Sequence, residues 1–301
     1  MTEVPRSSAG ATAAAGGPSS GRWSQDRRLE FIDFRLRWDG RLNRSDLMDF
    51  FGISVPQSSL DIAKYSELAP SNLAYDRSAR VYVSTPEFAP LYPSSDPGRF
   101  LNELLAHAAG LNADQTSLLG WTPAVATVPS PGRTFQTEVL VALLRAIRDK
   151  CALRVLYQSM SRPQPVSRTM TPHALAHDGF RWHVRAYCHT RKQFLDFVIA
   201  RMLEVDGFEE AGARPEQDLA WHRLVPLVLV PHPDLSASHR RAIELDYGMQ
   251  NGYAVFECRQ AFLFYALRHL RLDLTGATKP EEQQIALRNR AEVQALLAPA
   301  D

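Results

Sequence analysis

Cysteine is scarce in this chain of 301 residues, and Cys151, Cys188 and Cys258 are odd in number and far apart. That excludes a disulfide framework and a CxxC metal site, and it fits a reducing cytoplasm. Lysine is nearly as rare, at positions 64, 150, 192 and 279, so the basic side chains are overwhelmingly Arg, a bias that GC-rich codon usage explains. No run of about 18 uncharged apolar residues occurs, which leaves no membrane-spanning helix. The nine histidines show no HExxH or HxH spacing, and His173, His177, His183 and His189 lie on strands and turns without a ligand set of metal-binding spacing, so no metal site is expected. GxSxG, GxGxxG and GxxxxGK(S/T) are all missing, leaving no nucleophile elbow and no glycine-rich phosphate loop. The chain reads as a non-enzyme without a cofactor.

What is present is the composition of a folded protein, 45% hydrophobic and 22% charged, long enough for two or three modules. Residues 1–21 are Ala/Gly/Ser/Pro-rich, without the basic start and apolar centre of a signal peptide, and read as a disordered tail. The net charge of +1 hides an uneven distribution. Residues 151–205 carry 8 basic against 3 acidic groups, net +5, whereas 206–301 carry 10 against 14, net −4. A basic excess in one short stretch points to an anionic partner there.

Residues 22–90 read as helix, helix, short turn, helix, hairpin, the order of a winged helix-turn-helix. Ser24 is expected to cap the first helix, which ends at Asp39-Gly40. Asn43 or Ser45 caps the second and Gly52 stops it. Ser54 caps the third, with Pro56 in its first turn where a missing N–H costs nothing. Leu60, Ile62, Ala63 and Leu68 are expected to be buried in that third helix, leaving Gln57, Ser58, Ser59, Asp61 and Lys64 outside. A helix fits the major groove, so Gln57, Ser58 and Ser59 are candidates for base or phosphate contact and Lys64 for phosphate. Arg44, Arg77 and Arg80 are candidates for holding the DNA backbone. The alternative is a solvated face, since residues 22–80 hold 10 basic and 9 acidic groups.

Prolines mark a helical connector over 91–132. An amphipathic helix from Thr134 to about Lys150 then leads into four or five short strands, a small curled sheet or barrel. In Phe180 to Tyr187 the alternation sets Trp182, Val184 and Ala186 on one face and Arg181, His183, Arg185 and Tyr187 on the other. Arg168, His183, Arg185 and Arg201 are expected to converge, without acidic partners in sequence. Such donors suit phosphate or nucleotide, and a solvated sheet face with one satisfied histidine is the alternative. Residues 206–301 read as strand, helix, strand, helix, with Glu281 to Leu297 helical, hence a small α+β domain.

Trp182-His183-Val184 stands where the Trp-Tyr-Leu triplet stands in WYL-domain transcriptional regulators, and the chain resembles that family. The Tyr157 strand, Ser167-Arg168, Thr171-Pro172-His173-Ala174-Leu175 and Ile199-Ala200-Arg201-Met202 carry the resemblance. In the triplet itself His replaces Tyr and Val replaces Leu. His232-Pro233-Asp234-Leu235 and Ile243 to Met249 make it most similar to the WYL regulators of BREX and CBASS phage-defence operons. The resemblance implies an α+β multidomain protein: a winged helix-turn-helix, the helical connector, a small Sm/SH3-like β-barrel as the WYL ligand-sensing domain with its leading helix over 133–205, and a WCX-type dimerisation domain over 206–301. It implies a homodimeric repressor on a palindromic double-stranded DNA operator. A nucleotide-like or nucleic-acid ligand would be held by Tyr157, Ser159, Arg168, His173, His183, Arg185 and Arg201. The other reading is a constitutive nucleic-acid-binding protein whose basic sheet face touches DNA or RNA directly.

Overall fold

The computed structural model describes residues 18–111, 117–129, 131–273, 279–280 and 282–297, and for residues 18–24 the backbone only. The chain divides after Pro129 into two compact units. No helix among the described residues is long and apolar enough to cross a membrane.

The first unit begins with α1 (Pro18–Trp38). It starts earlier than Ser24, with Pro18 in the first turn, where its fixed φ suits a helix and its missing N–H is not needed. Ser24 therefore lies inside the helix, and the expected tail is shortened at its end; residues 1–17 of it lie outside the described residues. Gly40, at φ +69°, turns the chain into β1 (Arg41–Leu42), a short strand without a sequence signal. α2 (Arg44–Phe51) follows Asn43, whose backbone N–H donates to the Asp46 carboxylate at 2.6 Å. It closes on Gly52 in the left-handed region at φ +65°, a conformation that glycine adopts without strain. α3 (Val55–Leu68) has Ser54 as its cap, the Ser54 hydroxyl accepting from the Gln57 N–H. β2 (Leu73–Asp76) and β3 (Val81–Ser84) form the hairpin and, with β1, a three-stranded antiparallel sheet in the order β1-β3-β2.

Phe31, Ile32, Phe34 and Leu36 of α1 pack with Leu47, Ile62 and Tyr65 in the core. α4 (Pro97–Ala108) is joined to it by Phe100, which stacks on Trp38 at 4.3 Å. Buried Asp33 fixes the segment before α4: its carboxylate accepts from the Tyr65 hydroxyl and the Ser95 hydroxyl, both at 2.6 Å, and from the Leu91 and Tyr92 N–H groups. Desolvation of the Tyr65 phenol, reinforced by Asp33, pushes its ionisation far up, so it stays a neutral donor.

The second unit opens with α5 (Thr137–Asp149), whose Val139, Leu143 and Ala146 pack on a five-stranded antiparallel sheet. Its strands are β4 (Ala152–Tyr157), β5 (Val166–His177), β6 (Trp182–Cys188), β7 (Gln193–Val198) and β8 (Met202–Glu209), in the order β7-β6-β5-β4-β8. Irregularities at Pro172/Ala174 and along β4/β8 bend the sheet. Among the described residues no ladder joins β7 to β8, so the expected barrel is an open sheet. The chain passes from one edge to the other through the single turn Ile199–Arg201 instead of pairing them as a hairpin.

The last domain holds α6 (Leu219–His222), β9 (Leu224–Pro231), α7 (Ala237–Asp246), β10 (Ala254–Arg259), α8 (Leu263–His269), β11 (Ile285–Leu287) and α9 (Arg290–Gln294). Its sheet runs β10-β9-β11. The stretch expected to be helical from Glu281 to Leu297 contains a strand: Ile285 and Leu287, two apart, both point into the core beside Leu229, while Glu281 lies outside the described residues.

Candidate nucleic-acid interface and ligand face

Burial of Ser58, Asp61, Ile62 and Tyr65, at spacings of three and four, sets the rotation of α3. Asp61 is drawn inward by Arg28, whose Nε donates to it at 2.6 Å, and by the Gln57 amide at 3.1 Å. This reverses part of the expected facing: Ser58 and Asp61 are inside, and Leu60 and Leu68 are 63% and 50% exposed. Ser58 leaves the set of DNA candidates, because its fully buried hydroxyl donates to the Val55 carbonyl. Gln57 is half-buried and held by Asp61, the Ser59 hydroxyl donates to the Val55 carbonyl at 3.0 Å, and Lys64 pairs with Glu67 at 3.0 Å on the surface. Arg44 donates to the Tyr82 hydroxyl at 3.0 Å, which holds its guanidinium near the hairpin. Arg77 and Arg80 are exposed in the hairpin turn, which Asp76 ties by accepting from the Ser78 and Ala79 N–H groups.

In the second unit Val184, Ala186 and Cys188 face the core, and His183, Arg185 and Tyr187 point to the other side. That side is covered. Arg185 forms a two-pronged pair with Asp218, Nε to Oδ2 at 2.7 Å and Nη2 to Oδ1 at 3.0 Å, and its Nη1 reaches Asp196 at 3.2 Å. His173 Nε2 lies 3.0 Å from the same Asp218, its ring edge-on to Phe194 and Trp221. His183 Nε2 lies 3.0 Å from Asp178, which also accepts from Arg181, and the His183 ring stands against Tyr265.

Burial alone works to raise the pKa of Asp218 and Asp178. Hydrogen bonds outweigh it and hold both carboxyls well below the usual range: from His173 and Arg185 for Asp218, and from the Phe180 and Arg181 N–H groups and His183 for Asp178. Asp196 goes the other way, because burial outweighs Arg185.

The expected convergence of unpaired cations is therefore corrected on two counts. Arg185 and His183 have acidic partners, contributed by the turn before β6, by β7 and by the segment before α6. Arg168 pairs in register with Val155, a core residue, and so belongs to the face that packs against α5, where its Nε is enclosed without a hydrogen-bond partner among the described residues. Tyr157 is also interior, edge-on to Phe197, its hydroxyl accepting from the Val198 N–H. Ser159 bonds with Ser161, and half-buried Arg201 sits in the turn between β7 and β8. Of the seven ligand candidates, His173, His183 and Arg185 share a face.

Next to that face is a cleft of about 340 Å³ whose lining includes Arg133, Phe180, Arg181, Phe264, Arg268 and His269. Gly179, at φ +94°, carries the β5–β6 turn so close to α8 that a Cβ there would stand 3.1 Å from His269 Nδ1. Phe180 and Phe264 are 63% and 52% exposed at this cleft. Sequence reasoning missed Asp218, Tyr265 and the α8 residues because they come from the last domain. Phe180 and Arg181 did lie in the stretch that drew attention.

Three family descriptions match the chain in succession: the BrxR transcriptional regulator winged helix-turn-helix domain over residues 24–106, the WYL domain over 138–206, and the BrxR transcriptional regulator C-terminal dimerization domain over 224–293. Winged helix, WYL domain and this C-terminal domain, in that order, define a WYL-domain transcriptional regulator. The chain is 49% identical over 282 residues to the DNA-binding transcriptional repressor CapW of Escherichia coli strain KTE188, covering 93% of this chain and 94% of that protein. The CapW of Pseudomonas aeruginosa is 48% identical over 282 residues with the same coverage, and that of Stenotrophomonas maltophilia 47% over 279 residues, 92% of this chain and 93% of its own. The protein belongs to the CapW family of WYL-domain transcriptional regulators. Among solved structures, proteasome accessory factor B/C of Arthrobacter aurescens covers 95% of this chain and 51% of its own at 16% identity, with a TM-score of 0.23 that is too low for a comparison of folds.

Proposed function

We propose that the protein is a cytoplasmic, homodimeric DNA-binding repressor without enzymatic activity, that it occupies a palindromic operator of a phage-defence operon, and that an anionic nucleotide-like or nucleic-acid-derived ligand on the WYL-containing unit releases it. The observation that carries the reading is α3, which turns one face outward from a winged-helix core while Arg44, Arg77 and Arg80 stay at the surface. The names of the CapW relatives favour DNA and repression, and the match at 224–293 favours a dimer. Phage defence rests on the resemblance to BREX and CBASS regulators. Ligand control is favoured by the cleft, where the guanidinium groups of Arg133, Arg268 and Arg181, the last of them paired with Asp178, meet two exposed phenyl rings. Mechanistically this is linkage: a ligand releases DNA only by binding the DNA-incompetent arrangement more tightly.

The test is to sequence the DNA that the purified protein retains from sheared genomic DNA. A two-fold symmetric site, with half-sites about one helical turn or a multiple apart, is expected. Recovery of fragments without a shared site sinks the proposal.

A further inference from the structure

The rotation of α3 bears on how a duplex is read, and the inference that follows rests on the DNA-binding reading above. We propose that α3 recognises its operator chiefly through the 5-methyl groups of thymines, and that Leu60 is the residue that contacts them.

With Ser58, Asp61, Ile62 and Tyr65 inside, helical geometry puts Pro56, Ser59, Leu60, Ala63, Lys64 and Glu67 on the opposite side. The polar groups there are already engaged. The Gln57 amide donates to buried Asp61, the Ser59 hydroxyl to the Val55 carbonyl, and the Lys64 ammonium to Glu67. What is left to the first turns on that side is apolar: Leu60 is 63% exposed, and Pro56 and Ala63 are exposed. One exposed leucine on a surface is ordinary. A short apolar strip on the outward side of this helix, in a domain whose exposed arginines suit a polyanion, is matched to a particular surface. In the major groove the one apolar group on a base edge is the thymine methyl; all the others are hydrogen-bond donors or acceptors.

Full-length protein is used to select binding sites from random-sequence duplexes, and each thymine of the enriched half-site is then replaced by deoxyuridine, which removes the methyl group alone. At one or two positions the Kd is expected to rise about fourfold, the loss of one buried methyl-sized group. Leu60→Ala is expected to weaken the selected duplex about tenfold and a random duplex less than twofold, and to abolish the deoxyuridine effect at the same positions. Leu60→Met, similar in volume and apolar, keeps both. Since Leu60 is largely exposed, thermal unfolding of Leu60→Ala serves to confirm that the fold is kept. An enriched site indifferent to every deoxyuridine overturns this proposal and leaves DNA binding standing. So does a methyl effect that persists unchanged in Leu60→Ala. Failure to enrich any sequence removes the DNA reading and this one with it.

Discussion

Arg185 and Asp218 meet face to face, two nitrogens of the guanidinium on two oxygens of the carboxylate at 2.7 and 3.0 Å, across 33 residues of sequence and with both residues buried. The pair bolts strand β6 to the segment that leads into the last domain. Breaking it from one side leaves the other charge buried, which typically costs about 3–5 kcal/mol, whereas replacing both partners with apolar side chains costs far less. Asp218→Ala should therefore lower the urea midpoint strongly, and replacing Arg185, Asp218 and Asp196 together with Leu, so that no charge of the network is left alone, should recover much of the loss. A single variant as stable as the parent would show that the pair is not what joins the two domains.

The same carboxylates set the acid response. Asp218 and Asp178 have folded-state pKa values depressed below the ordinary carboxylate value. Their contribution is therefore fully present above about pH 4 and is lost as the pH falls through the folded-state values. Unfolding free energy measured from pH 7 down to pH 3 should fall at the acid end, and Asp218→Asn should flatten that fall while lowering the plateau. An unchanged acid slope in Asp218→Asn argues against the assignment.

Ser58 and the hairpin arginines should separate in a binding assay. Ser58→Ala removes a buried hydroxyl that only closes on its own helix, so operator affinity should stay within about twofold. Arg77→Ala and Arg80→Ala should each weaken operator and random DNA alike, and each should reduce the salt slope by about one. Loss of affinity in Ser58→Ala without loss of stability would contradict the facing of α3 described above.

The cleft gives a separable phenotype. Arg268→Ala and Phe180→Ala should bind the operator like the parent protein yet fail to leave it when the inducing signal is present in the cell, measured with a reporter behind the operator. If both variants instead lose operator binding in proportion, the cleft serves DNA and the ligand reading fails.

Helix punctuation was legible because it is local chemistry. Asn43 before α2, Gly52 after it, and Ser54 with Pro56 at the start of α3 each act within four residues of themselves. The facing of α3 was not legible. Counting apolar residues favoured Leu60 and Leu68 as interior, but Asp61 is taken inside by Arg28, 33 residues earlier. Of the four or five strands expected, β8 had the weakest signal: it is an edge strand in which Met202 alone is fully buried, so its pattern carries almost no apolar period. At the ligand face Arg185 and His183 were visible as donors. Asp178, in the turn just before them, was the one partner near enough to have been foreseen. Asp218 and Tyr265 needed the fold.

Asp33 receives four hydrogen bonds, from Tyr65 in α3 and from Leu91, Tyr92 and Ser95 beyond the hairpin. A joint so saturated has no slack. One carboxylate thus couples the helix that faces outward to the segment that leads into α4. Moving the exit segment away from α3 would break the hydrogen bonds of Leu91, Tyr92 and Ser95 to the carboxylate that also holds Tyr65.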